Sequence, residues 1–208
     1  MNPAYIKYIA AAFSMKQEIK IFFISFLAIC LIPLFIVIIL TQAGFSLISD
    51  TLAVFNPQSL VVDILDPVTG EALDHINTTA AWPVNGPVSL EFGEMHLPYQ
   101  PYHTGIDIAT TDHQIGDPVI VFMEGKVTKV ESLNRGFGNH VVVDHGHHLT
   151  SIYAHLDSIS VVKDQEIAVG TIVGTRGSTG WSTGPHLHFQ INVFGIPVNP
   201  RTFLTGEP

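Results

Sequence analysis

His186-Leu187-His188 is a pair of imidazoles at a spacing that can do chemistry. In an extended strand, residues i and i+2 point to the same face, so both rings address one site while Leu187 faces away. Two such rings can share a metal ion, or one can bind while its neighbour moves protons; they can equally be a structural pair. The run before them, Gly177-Ser178-Thr179-Gly180-Trp181-Ser182-Thr183-Gly184-Pro185, is built mainly of small residues and lets a substrate backbone approach closely. A plain hairpin connection would read the same way.

His103-Thr104-Gly105-Ile106-Asp107 offers a second imidazole with a carboxylate. Four residues apart fits one helix face, but Gly105 and the β-branched Thr104 and Ile106 predict an extended segment. His with carboxylate suits Zn²⁺, which takes N and O ligands at about 2.0–2.2 Å; the spacing alone is common by chance. His155 sits in Tyr153-Ala154-His155-Leu156 at the end of a candidate strand, where a lone His is more often a satisfied core or rim residue. Two His and one Asp would make three protein ligands and leave a fourth position for water, the open arrangement of a catalytic zinc site. Water held there has its pKa lowered toward about 7. Two further His would orient it, move protons and stabilise a tetrahedral oxyanion.

The other histidines read as bystanders. His145, His147 and His148 fall in a Gly-flanked turn read as solvated, and His113 lies in a loop. His75, His96 and His140 have no partner at informative spacing; His96 and His113 are candidates to line a groove.

The elements that must position these groups read as strands. Pro118–Met123, Lys126–Val130, His140–Asp144, Thr150–His155, Thr171–Val173 and His186–Ile191 are short, rich in Val, Ile and aromatics, and bounded by Gly, Asp, Asn or Pro. No sustained helical period interrupts them, so this part reads as mainly antiparallel β.

The N-terminal part differs. Ile21 to Leu40 holds twenty residues without a charge, and about 20 such residues cross the hydrocarbon core as a helix. Pro33 in its middle is tolerated in membrane helices. Lys7, Lys16 and Lys20 precede the run against one acid, Glu18, and no Lys or Arg follows until Lys126. That asymmetry predicts a cytoplasmic N-terminus (1–20), a transmembrane helix (21–40) and an exported remainder. A cleaved signal peptide ending near Thr41-Gln42-Ala43 is the rival, but the apolar run exceeds the usual h-region of about 7–15 residues. Residues 41–80 mix apolar stretches with turn signals such as Asp66-Pro67-Val68-Thr69-Gly70, and read as a linker or stalk with room for a short helix and a strand pair.

The single cysteine, Cys30, lies inside the apolar run. The remainder therefore has neither disulfide nor thiol nucleophile, which excludes cysteine-protease chemistry. Removing the three Lys and one Glu of residues 1–40 from the nine basic and 18 acidic residues of the chain leaves six and 17, a net charge of −11. Such a domain lacks the basic footprint that nucleic acid requires.

From about Trp82 to Pro200 the chain resembles the M23 (LytM/lysostaphin-type) peptidases, zinc endopeptidases of bacterial cell walls. The resemblance rests on ordered blocks: Trp82-Pro83-Val84-Asn85-Gly86, HTGIDIA at 103–109, GDPVIV at 116–121, GFGNHVVVDHG at 136–146, YAHL at 153–156, VGTIVG at 169–174, GSTGWSTGPHLHF at 177–189 and Val198-Asn199-Pro200. It implies a peptidase domain over 81–204, a small twisted antiparallel β-sheet with an active-site groove. It implies one zinc ion held by His103, Asp107 and His188, with His155 and His186 as the catalytic pair. It implies hydrolysis of peptide bonds in peptidoglycan stem peptides or cross-bridges; taken with the apolar run, the expected place is the bacterial cytoplasmic membrane, with a single-pass anchor. Gln190, where many relatives have Glu, and Met123, where a small residue is common, depart from the pattern. Two other functions are compatible with the fold: a non-catalytic wall-binding or activator module, and a wall-opening component of a secretion or conjugation machine.

Overall fold

A computed structural model describes residues 3–79, 81–95 and 102–208. His96 therefore lies outside the described residues. Two compact units are present, Met1–Gly44 and Phe45–Pro208.

The helix α1 runs from Pro3 to Leu52, well beyond the stretch expected to span a membrane. Pro33 lies inside it and does not end it. Within it, Gln17–Leu52 contains an 18-residue window of mean hydropathy 3.1, long and apolar enough to cross a membrane. Its last turns belong to the second unit, where Ser49 and Leu52 are buried.

The stretch read as a linker is folded. β1 (Ala53–Asn56), β2 (Val61–Leu65) and β3 (Ala72–Asn77) form a three-stranded antiparallel meander. The turn between β2 and β3 is set by Asp66, whose Oδ1 accepts the Val68 and Thr69 backbone N–H groups at 2.7 and 2.8 Å. Val62, Ile64 and Ile76 are buried in one core with the strands that follow, so 53–77 packs as part of the domain. The apolar alternation Val62-Asp63-Ile64 already carried that signal, but it was too short to separate a strand from a tether.

The remaining strands are β4 (Val88–Leu90), β5 (Ile106–Ala109), β6 (Pro118–Ile120), β7 (Gly125–Glu131), β8 (Asn139–Asp144), β9 (Leu149–Ile159), β10 (Glu166–Ile167), β11 (Ile172–Arg176), β12 (His186–Val193) and β13 (Ile196–Val198). They make a ten-stranded sheet in the order β10-β7-β8-β9-β12-β5-β4, with β11 joining β9 and β6, and β13 joining β12. The mainly β, antiparallel fold class expected from the sequence is the one observed.

β12 lies between β5 and β9, and its two faces divide the labour. Leu187, Phe189 and Ile191 are fully buried in the core; Phe189 packs on Tyr153 and Phe122 with ring centroids 5.3 and 5.6 Å away. Each such side chain stabilises the fold by roughly 1.5–3 kcal/mol through burial. His186, His188, Gln190 and Asn192 occupy the opposite face, where the last three are also buried and must find polar partners.

β9 is longer than the short strand predicted, because it changes partner along its length. Leu149–Ala154 pairs with β12, whereas Leu156–Ile159 pairs with β11. The change falls at His155, whose φ of +61° lies in the left-handed region. The β8–β9 register also shifts between Asn139 and Val141, opposite this point.

Candidate metal centre

The register of the sheet builds the centre. His188 pairs directly with Asp107 of β5 on one side and with Ala154 of β9 on the other. Cross-strand partners share a face, so Asp107 and His188 are neighbours on the polar face of β12. His103 lies just before β5 and is almost completely buried. Gly105 explains why the chain can pass so close: a Cβ there would lie 2.4 Å from the Phe189 carbonyl oxygen and 3.0 Å from the His188 ring.

Three donor atoms converge. His103 Nε2 lies 3.0 Å from Asp107 Oδ1 and 3.0 Å from His188 Nδ1, and His188 Nδ1 lies 2.9 Å from Asp107 Oδ1. The opposite ring nitrogens are committed elsewhere. His103 Nδ1–H donates to the Glu91 carbonyl at 3.1 Å, and His188 Nε2–H donates to Gln190 Oε1 at 3.4 Å. With those tautomers, assigned from the hydrogen-bond network, two imidazole lone pairs and a carboxylate oxygen face one point with no proton between them. Such an arrangement is repulsive unless a cation occupies its centre. Ligands on a tetrahedral zinc at about 2.05 Å stand about 3.3 Å apart, close to the separations here. His103, Asp107 and His188 are thus a group that could hold a metal ion.

Further contacts orient these side chains. Glu91, whose carbonyl receives His103, is itself held by Arg201, with Nε 3.0–3.1 Å and Nη2 2.8 Å from its carboxylate. Thr104 Oγ1 donates to Gln190 Oε1 at 2.7 Å, while Gln190 Nε2 donates to Asn192 Oδ1 at 2.7 Å. The amide of Gln190 is therefore fixed with its oxygen toward His188. The departure at this position thus has a structural consequence: it leaves His188 Nδ1 facing His103 and Asp107. Its signal was the polar alternation His186-His188-Gln190-Asn192 along one strand face.

His155 and His186 complete the cluster. Ala154 pairs with His188 on the polar face, so by strand alternation His155 should point to the core face. The bulge and left-handed backbone turn it to the polar face instead. Its ring centroid lies 4.8 Å from that of His186 and 6.0 Å from that of His188. His155 Nδ1–H donates to the Thr179 carbonyl at 2.7 Å. Thr179 is carried by the small-residue loop, which packs closely against 136–138: Gly138, at φ +62°, leaves no room for a Cβ beside Thr179. His186 Nδ1 is 2.8 Å from the Gly184 carbonyl and 3.3 Å from Ser182 Oγ, and its Nε2 is 3.6 Å from Asp107 Oδ2. Both rings thus keep Nε2 for other work.

Electrostatics follow from burial. Desolvation opposes charge on Asp107, but its neighbours His103 and His188 outweigh it and hold the carboxylate well below its ordinary range. Burial first, then the neighbouring His186 and His188, lowers His155 to about 4. His155 is neutral at neutral pH, with Nε2 as a proton acceptor.

All five residues singled out in the sequence are brought together: His103, Asp107, His155, His186 and His188. Three further groups at or beside the site had no legible signal. Phe137 stacks on His188 at 5.4 Å. His140 is buried, 3.0 Å from the Gly138 carbonyl and 3.4 Å from Glu131. The Thr179 carbonyl orients His155. The turn histidines divide. His147 is exposed and 2.8 Å from Asp74, and His148 stacks on Phe194. His145 departs from the solvated reading: it is buried, with Nδ1 2.7 Å from the Glu124 carbonyl and Nε2 2.7 Å from Ser151 Oγ. His113 is exposed in its loop.

Comparison with known proteins gives the family. Residues 101–200 match the sequence model of peptidase family M23. The catalytic domain of the antimicrobial peptidase lysostaphin from Staphylococcus simulans is 30% identical with a TM-score of 0.56; the match covers 62% of this chain and 100% of that domain. The chain belongs to peptidase family M23. Among curated M23-related proteins, the DD-carboxypeptidase/endopeptidase Mpg of Neisseria meningitidis is 40% identical over 106 residues, 51% of this chain and 24% of its own length. The murein hydrolase activator NlpD of Escherichia coli is 35% identical over 127 residues, 61% of this chain and 31% of its own. The chain thus spans about a quarter to a third of these two relatives.

Proposed function

We propose that this chain is a membrane-anchored zinc endopeptidase that hydrolyses peptide bonds of bacterial peptidoglycan. His103, Asp107 and His188 hold the metal, and His155 and His186 are the catalytic pair. The observation that carries this reading is the convergence of two lone pairs and a carboxylate on one point, with two more imidazoles beside it.

The metal, when bound, supplies a Lewis acid that polarises the scissile carbonyl and acidifies water. The chain supplies the rest. Neutral His155, held by Thr179, presents Nε2 to accept a proton from the attacking water. His186, held by Gly184, presents its own Nε2 on the same side. Once protonated, an imidazole of this pair becomes a donor that stabilises the oxyanion and returns the proton to the leaving amine. Half-buried Phe137, stacked on His188, limits water on that side of the ring.

The apolar helix supports anchoring, and Lys7, Lys16 and Lys20 before it support a cytoplasmic N-terminus with the peptidase domain outside. Similarity to an activator of murein hydrolases supports a second reading, a non-catalytic module; the full set of five residues weighs against it.

The test is digestion of isolated peptidoglycan by the detergent-purified full chain, with and without a chelator, read by mass spectrometry. Chelator-sensitive release of new peptide termini is expected. No release by protein confirmed to hold zinc would sink the enzymatic reading.

A further inference from the structure

An open groove of about 470 Å³ runs beside the five-residue cluster, lined by Lys129, Arg135, Phe137, His140 and Trp181 among others. It joins the cluster through Phe137, which stacks on His188 and whose carbonyl accepts the His155 backbone N–H at 2.9 Å. Trp181 N–H donates to the Gly136 carbonyl at 2.9 Å. The two segments that present Arg135 and Trp181 are therefore the ones that hold His155 in place.

Two features of this groove are not spent on the fold. The Trp181 side chain is 80% exposed, and an indole so placed offers a rigid apolar platform. The second is charge. Of the six cations in 41–208, Lys126 pairs with Asp164, Lys129 with Glu131, Arg176 with Asp117, and Arg201 with Glu91. Among the described residues, Arg135 and Lys163 have no ion pair, and Arg135 is the one in the groove. Lys129 and Glu131 cancel, so the guanidinium of Arg135 is the uncompensated charge there, within a region of net charge −11. A guanidinium matches a carboxylate in shape and charge.

We propose that Arg135 and Trp181 form a specificity subsite for an acidic peptide. The guanidinium takes a substrate carboxylate, and the indole covers the backbone between that carboxylate and the scissile bond. The proposal rests on the peptidase reading for the direction in which substrate lies. The carboxylate is either a C-terminal α-carboxylate or one on a side chain.

The chain has two tryptophans and Trp82 is buried, so quenching of Trp181 fluorescence reports groove occupancy without turnover. The zinc-loaded full chain in detergent micelles would be titrated with stem-peptide dimers in three forms: free acid, C-terminal amide and side-chain amide. Cleavage of each would be followed in parallel. The free acid should bind about fivefold more tightly than one of the amides, and the amide that loses affinity identifies the carboxylate. Arg135→Gln should erase that ratio, Arg135→Glu should invert it, and Arg135→Lys should keep part of it, all at equal zinc content. Equal affinity for the three forms, a preference that survives Arg135→Gln, or no quenching at all overturns the subsite. Preference without cleavage upholds the subsite and sinks the peptidase reading; cleavage without preference does the reverse.

Discussion

Two buried histidine sites in this domain make opposite use of the same side chain. His145 has both ring nitrogens engaged, one by the Glu124 carbonyl and the other by Ser151 Oγ. His103 and His188 each have one nitrogen engaged and direct the other at its counterpart and at Asp107. Burial is similar, so burial does not separate the two roles. What separates them is whether every lone pair has a proton to accept. A ring with two protein partners is a structural crosslink. Two rings whose lone pairs face each other and a carboxylate need a cation.

The largest expected effect comes from breaking the active cluster without touching its metal. His155→Ala should lower kcat by about 10²–10⁴ while metal analysis still finds one zinc per chain. His188→Ala should abolish both activity and stoichiometric zinc. An active, zinc-loaded His188→Ala protein would end the ligand assignment. His145→Ala should leave zinc content intact and instead cost about 1–3 kcal/mol of stability, read as a lower melting temperature.

Gln190 tests the layer behind the ligands. Gln190→Ala should weaken zinc affinity by about 10–100-fold, measured by competition with a chelator, and Gln190→Glu should restore most of it. Added zinc should raise the melting temperature of the wild type and leave that of His188→Ala unmoved.

The smallest effect is a pH slope. Burial lowers the His145 pKa, against weaker opposing contributions from the Glu124 carbonyl and Asp144. On acidification the unfolded chain takes up this proton first. Stability should therefore be full above about pH 6.5 and decline as pH falls toward the lowered folded value. His145→Gln should flatten that part of the slope in chelator-treated protein, as read by denaturant titration. An unchanged slope would show that His145 is not what senses pH there.

Legibility tracked the range of the interaction. His186 and His188 share a face because strand periodicity is local, and the blocks around them were readable without any partner strand. The length and purity of the apolar run likewise needed no tertiary context. The meander at 53–77 was harder, since three short strands acquire meaning only when Val62, Ile64 and Ile76 meet a core contributed from later in the chain. His145 was misread for a related reason: its turn is exposed at His147 and His148, yet the first ring folds back beneath the sheet onto Ser151.

The sequence by itself singled out the five candidate residues, the β class of the domain, and a helix long and apolar enough for a membrane. Only the tertiary structure decided how those residues meet. Asp107 reaches His188 through a register between strands 81 residues apart. His155 reaches the pair through a bulge that reverses its expected face. Gln190 orients His188 through Thr104, which comes from another part of the chain. Period and composition are properties of neighbours along the chain, whereas register, bulges and the tautomer of a buried ring are fixed by partners distant in sequence.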